Sequence, residues 1–225
     1  MNFNWQDETR VKWNQMTQFW SEKSEDMWER GSRKEIIPFM ETFIKPNGFI
    51  GDLGCGDGYG SFLLYQKGFT VIGLDIAEDM IEKAKERQIE GSLTFVQGSM
   101  SSTPFEDEQF DAVMAINSLE WNESPLGTLN ELRRITTEYA CIGILGPTAA
   151  PRINSYSRLY DKPAICNTIM PWEFSQLATE NGWEIVGNLP VYKREVKKEF
   201  VEQLPMILKQ ANSFMWVFML RKTKG

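Results

Sequence analysis

The stretch Asp52-Leu53-Gly54-Cys55-Gly56-Asp57-Gly58-Tyr59-Gly60, entered from Phe49-Ile50-Gly51, constrains this chain more than any other. A short apolar run, three alternating glycines and then an amphipathic run predict a strand that turns sharply into a helix. Such a turn carries its backbone close to a bound small molecule, because the missing side chains leave room for one.

Beyond the turn the chain repeats the strand-then-helix pattern, the signature of a parallel sheet wrapped by helices. Strands are expected at Phe49 to Cys55, Thr70 to Asp75, Leu93 to Val96, Phe110 to Ile116 and Tyr139 to Leu145. Between them, Tyr59, Phe62, Leu63 and Tyr65 give one face of a helix. Asp79 to Arg87 forms another, with Asp79 and Lys83 at ion-pair spacing. Ser124-Pro125 caps a third, with Leu126, Leu129 and Leu132 inward. A helix opening at Met170-Pro171 and closing at Asn181-Gly182 precedes two last strands, Trp183 to Val191 and Ser213 to Lys222, with the charged, partly helical run Lys193 to Gln210 between them. The expected fold is α/β, a Rossmann-like seven-stranded, mostly parallel sheet with helices on both faces, the last strand antiparallel and an N-terminal helical cap.

Residues 1–45 read as two amphipathic helices, one carrying Trp13, Met16, Phe19 and Trp20, the other Ile36, Ile37, Met40, Phe43 and Ile44. They are assigned as lid and brace, residues 46–146 as the binding core, and 147–225 as a substrate-side insertion around Tyr156 and Tyr160 with completion of the same sheet after it, in a single domain overall.

Charge and composition exclude several classes. A net charge of -7 gives no basic face for a phosphate backbone, so no nucleic-acid partner is expected. No apolar run approaches the ~20 residues of a membrane span, and Met1 to Arg10 has no signal-peptide pattern, so a cytoplasmic location is expected. Three scattered cysteines suggest neither disulfides nor zinc, and no metal site is expected. Histidine is absent, which removes Ser-His-Asp and Cys-His nucleophile systems.

Three readings compete for the glycine turn. It can be a plain connection needing positive backbone angles. A nicotinamide dinucleotide site would need a third glycine at position 59, where Tyr59 stands. Third, Asp52-x-Gly54-x-Gly56-x-Gly58, with Asp75 closing the second strand, Gly98-Ser99-Met100 after the third and Phe110-Asp111-Ala112-Val113 opening the fourth, resembles the class I S-adenosylmethionine-dependent methyltransferases. The similarity covers about Ile36 to Leu145 and is closest to the small-molecule branch that includes quinone-biosynthesis methyltransferases. An acid before the first glycine would repel a pyrophosphate but favour a sulfonium.

The resemblance implies that Gly54, Cys55 and Gly56 lie along the methionine part of S-adenosylmethionine, with Asp52 favouring its positive groups. It implies that Asp75 accepts from the ribose hydroxyls, Ile76 covers an adenine face, and Gly98, Ser99 and Met100 meet the adenine edge. The usual Asp at position 99 is Ser99, which implies weaker adenine binding. Asn117 would meet the methionine amine through its backbone carbonyl, and Trp20 and Arg33 its carboxylate end. S-adenosylhomocysteine would be the product. Glu120 is the candidate general base for a small-molecule acceptor offering an oxygen, nitrogen, sulfur or carbon nucleophile. The alternatives are a non-catalytic or regulatory S-adenosylmethionine-binding protein and, more distantly, an NAD-linked oxidoreductase.

Overall fold

The computed structural model describes residues 3–149 and 165–223. Seven strands form one sheet: β1 (Phe49–Leu53), β2 (Thr70–Asp75), β3 (Leu93–Gln97), β4 (Phe110–Ile116), β5 (Thr136–Leu145), β6 (Trp183–Val191) and β7 (Met215–Lys222). Their order is β3-β2-β1-β4-β5-β7-β6. The first five pair in parallel, and β7 runs antiparallel between β5 and β6. The expected fold is the one observed.

Both faces of the sheet are covered, so its central strands are apolar along their length instead of alternating. In β7, Trp216 and Phe218 point into one core with Phe110, Leu129, Leu132 and Phe174. Met215, Val217 and Met219 point into the other with Ile36, Met40, Ile50 and Leu64. The first face carries α5 (Pro125–Ile135) and α6 (Pro171–Glu180), the second α2 (Ile36–Glu41), α3 (Tyr59–Gln66) and α4 (Glu78–Lys85). The run Lys193 to Gln210 contains the short helices α7 (Lys198–Glu202) and α8 (Met206–Ala211). A single 25-residue helix, α1 (Trp5–Glu29), precedes all of these.

Several local expectations fail for identifiable reasons. β1 ends at Leu53 because Gly54 adopts φ 77°. On α3 the expected Tyr59, Phe62, Leu63 and Tyr65 are half-buried and pack against the second core, while the fully buried residues are Gly60, Ser61 and Leu64. The small residues let this helix pack close: a Cβ on Gly60 would fall 2.5 Å from Cζ2 of Trp28. Leu126 is 41 % exposed, and Thr128 joins Leu129 and Leu132 on the buried face. Lys83 pairs with Glu86 at 2.7 Å instead of with Asp79, whose backbone N–H donates to Asn14 Oδ1 at 3.3 Å. Most of the expected insertion, with Tyr156 and Tyr160, lies outside the described residues.

Strand order reverses between β1 and β4, which have β2 and β5 as their outer neighbours. In open parallel sheets a ligand crevice forms at the carboxyl ends of the strands at such a reversal. The glycine turn leaves β1 at this point, and Asn117 leaves β4 beside it.

Candidate functional site

The turn is laced to β2. Backbone N–H groups of Gly54 and Cys55 donate to the Leu74 carbonyl at 2.7 and 3.0 Å, and Gly56 N–H donates to Asp75 Oδ2 at 2.9 Å. Two glycines serve different ends. A Cβ at Gly54 would lie 2.4 Å from Cβ of Ser118, so this glycine lets the turn meet the loop after β4. At Gly56 (φ 57°) a Cβ would find only Trp20 Cδ1, at 3.8 Å, and would point into open space. Gly56, rather than Gly54, leaves room for a ligand.

That space is a cavity between the glycine turn, the loops after β2, β3 and β4, and α1. Eleven of the thirteen residues singled out from the sequence line it: Gly54, Cys55 and Gly56 on the floor, Asp75 and Ile76 after β2, and Gly98, Ser99 and Met100 after β3. Asn117 after β4 and Trp20 and Arg33 from the N-terminal region complete the eleven. Asp52 and Glu120 do not reach it.

Asp52 is 3 % exposed and lies behind the turn, its Oδ2 accepting from Ser61 Oγ at 2.6 Å. Burial pushes its carboxyl up to about 7, assisted by Asp75 and Asp57 and opposed by the Ser61 hydrogen bond and Arg33. The folded chain therefore holds the Asp52 proton more tightly than the unfolded chain does. Its contribution to stability falls as pH rises from about 4 to about 7. Asp52→Asn, which keeps an oxygen for Ser61, is expected to stabilise the ligand-free protein against unfolding at pH 8 by on the order of 2–3 kcal/mol more than at pH 5, read as a larger rise in thermal midpoint at pH 8. Equal gains at both pH values would show that Asp52 is ionised throughout.

Asp75 is 9 % exposed and accepts backbone N–H from Gly56 through Oδ2 and from Ala77 through Oδ1, each at 2.9 Å. It therefore also holds the entry to α4, whose N-cap residue Ala77 has no capping side chain. Burial raises its pKa, with these bonds opposing. The Arg33 guanidinium sits 5.4 Å from the ring centres of both Trp20 and Trp28. Among the described residues it makes no ion pair, and burial lowers its pKa to about 10, against the pull of Asp52, Asp57 and Glu120, so it stays charged at neutral pH. Asn117 holds φ 55°; its carbonyl accepts from Trp121 Nε1 at 3.1 Å, while its side-chain Oδ1 is buried with no hydrogen-bond partner. An unpaired cation and an unpaired carbonyl oxygen in one wall suit a ligand bearing a carboxylate and an ammonium.

The sequence reading missed a second set of residues. Trp5 Nε1 and Thr9 Oγ1 of α1 both donate to the Trp121 carbonyl, at 2.7 and 3.2 Å. Ser24 Oγ donates to Asp57 Oδ1 at 2.7 Å. All four line the cavity along with Trp13 and Trp121. Asp57 also lies at the N-terminus of α3, where Oδ1 accepts Tyr59 N–H at 3.5 Å. Its carboxylate occupies the place where a helix start would receive a pyrophosphate.

Glu120 is 0 % exposed, in the short helical turn Leu119–Trp121. Its Oε1 accepts the backbone N–H of Leu145, at the end of β5. The carboxylate thus ties the loop after β4 to the end of β5 and is not among the residues that line the cavity. Among the described residues no His, Cys, Asp and Glu group could hold a metal, and no helix is long and apolar enough to cross a membrane.

Comparison with known proteins agrees with the geometry. A family profile described as a methyltransferase domain matches residues 51–139. The biotin biosynthesis bifunctional protein BioHC of Teredinibacter turnerae is 28 % identical over 189 residues, 76 % of this chain and 32 % of that protein. The 18S rRNA (guanine(1575)-N(7))-methyltransferase of Saccharomyces cerevisiae is 37 % identical over 79 residues, 35 % of this chain and 28 % of that protein. These matches thus span about a third of the relatives' lengths. Among solved structures, a chain of the complex between the Haloferax volcanii Trm112 methyltransferase activator and a methyltransferase superposes with a TM-score of 0.75 at 16 % identity, covering 96 % of this chain and 98 % of that chain.

Proposed function

We propose that this chain, whose central domain and fold are those of S-adenosylmethionine-dependent methyltransferases, binds S-adenosylmethionine in the cavity and transfers its methyl group to a small molecule. One observation carries the reading: one cavity presents the Asp75 carboxylate at one end of the glycine turn and, in its N-terminal wall, the Arg33 guanidinium, which makes no ion pair among the described residues. These are the partners a nucleoside joined to an amino acid needs.

Within this reading, Asp75 accepts from the ribose hydroxyls while keeping its bonds to Gly56 and Ala77, since each carboxylate oxygen has a second lone pair. Ile76 covers the adenine, and Gly98, Ser99 and Met100 meet its edge. Arg33 takes the carboxylate. Asn117 takes the ammonium through Oδ1, which is buried with no hydrogen-bond partner among the described residues. The bound sulfonium supplies a methyl carbon with an excellent leaving group. The chain's own task is then to align the acceptor and exclude water, which α1 does through its bonds to Trp121 and Asp57. With Glu120 turned inward, no general base is assigned.

Ser99 Oγ lies 2.9 Å from Ser101 Oγ and offers no charge to the adenine amino group. Ser99→Asp is expected to tighten S-adenosylhomocysteine binding roughly 5- to 10-fold, since a charged acceptor strengthens such a bond; unchanged or weaker binding refutes the assigned role of Ser99.

The net charge of -7 supports a small-molecule acceptor over a phosphate backbone, and within this reading the reaction takes place in the cytoplasm. A second reading, a ribosomal RNA base as acceptor, is favoured by the yeast relative's name. Transfer of labelled methyl from S-adenosylmethionine into a small-metabolite fraction, with an RNA fraction in parallel, tests both. Label in metabolites supports the first, and label confined to RNA the second. Tight cofactor binding with transfer to neither would favour a non-catalytic binder.

A further inference from the structure

The loop after β3 carries two serine hydroxyls side by side. Ser102 N–H donates to the Ser99 carbonyl at 3.2 Å, which fixes the turn, and Ser99 Oγ lies 2.9 Å from Ser101 Oγ, where either hydroxyl can be the donor. Ser101 N–H also donates to Ser99 Oγ, at 3.4 Å. From α1, Gln6 Nε2 donates to Ser101 Oγ at 3.3 Å. Gln6, Ser99 and Ser101 all line the cavity, at the end that the proposed reading gives to adenine. A carboxylate at position 99 would only accept, whereas an amide and two hydroxyls each donate and accept.

This chain of bonds can therefore run in two directions. With Gln6 Nε2 as donor, Ser101 accepts from it and donates its hydroxyl hydrogen to Ser99. The lone pairs of Ser99 are then taken by the hydroxyl and the N–H of Ser101, and its own hydrogen is left for the ligand. After a half-turn of the Gln6 amide, Oε1 accepts from Ser101, Ser101 accepts from Ser99, and Ser99 keeps one lone pair for the ligand. In the first direction Ser99 donates, as a ring carbonyl requires. In the second it accepts, as a ring amino group requires.

We infer that Gln6 is a specificity-determining residue for the base of the cofactor: through Ser101 it sets whether Ser99 meets a 6-amino or a 6-oxo purine, and because its amide turns, the site takes both. The inference rests on the methyltransferase reading, which brings the purine edge to Ser99. Gln6 is a positioning residue here, acting through the two serines.

Titration calorimetry of the full chain with S-adenosylhomocysteine and S-inosylhomocysteine tests this, the ratio of the two affinities being the readout. Both ligands are expected to bind the unmodified chain. Gln6→Glu, whose carboxylate only accepts, is expected to move the ratio at least ~3-fold toward S-adenosylhomocysteine, and Gln6→Lys, which only donates, at least ~3-fold toward S-inosylhomocysteine, the worth of one neutral hydrogen bond. Contacts to the rest of the base are common to the three proteins and cancel in the comparison. Gln6 is exposed, so neither variant disturbs the core. In a Ser99→Ala background the two Gln6 variants are expected to give the same ratio, which separates action through Ser99 from a direct effect of the new charges. Shifts in the same direction, shifts below ~3-fold, opposite shifts that persist without the Ser99 hydroxyl, or no S-inosylhomocysteine binding to the unmodified chain overturn the inference alone. Failure of both ligands to bind overturns the methyltransferase reading, and this inference with it.

Discussion

Asp75→Ala is expected to weaken S-adenosylhomocysteine binding by 100-fold or more, since two hydrogen bonds to a charged acceptor are worth about 1.5–3 kcal/mol each. The folded state should suffer less. Gly56 and Ala77 lose a side-chain acceptor, but removal of the carboxylate also removes the cost of burying it. Titration calorimetry beside a thermal melt separates the two effects. A loss of affinity below about 5-fold would mean that the ribose hydroxyls do not meet Asp75.

Arg33→Met is expected to move affinity and stability in opposite directions. The guanidinium is withdrawn from water between Trp20 and Trp28 without an ion pair among the described residues, so an apolar replacement relieves its desolvation. Ligand-free protein should melt at the same temperature or higher. S-adenosylhomocysteine binding should fall roughly 30- to 100-fold, the worth of a charge-assisted bond to its carboxylate. 5′-Methylthioadenosine, which has the adenosine but no amino acid, should bind wild type and variant alike. A comparable loss with both ligands would mean that Arg33 shapes the cavity without meeting the carboxylate.

The legible part of the sequence was local. Gly54, Gly56 and Asp75 lie within one strand-turn-helix unit and the strand beside it, where glycine spacing and strand ends fix positions. Gly98, Ser99, Met100 and Asn117 obey the same rule, that residues just past parallel strands share one edge. The contacts of α1 were not legible. Trp5 and Thr9 meet a carbonyl more than a hundred residues away, and nothing in their helical spacing names that partner. Asp57 looked like part of a turn; its role emerges only when Ser24 is folded against it. For Glu120, a carboxylate in a loop after a strand suggests an exposed acid. The chain instead turns inward through Leu119–Trp121, and Glu120 binds the end of β5. On α3 the apolar residues do pack against the core, but the deepest contact was not legible, because Gly60 and Ser61 carry no apolar signal and their small size is what the packing against Trp28 requires.

The most direct test of the central claim is calorimetric titration of the unmodified chain with S-adenosylmethionine, S-adenosylhomocysteine and NADH. One S-adenosylmethionine and one S-adenosylhomocysteine site of micromolar affinity or tighter is expected, with no NADH binding, because Asp57 occupies the start of α3 and Tyr59 stands in place of a third dinucleotide glycine. NADH binding without either sulfur nucleoside, or no binding of any of the three, would contradict it.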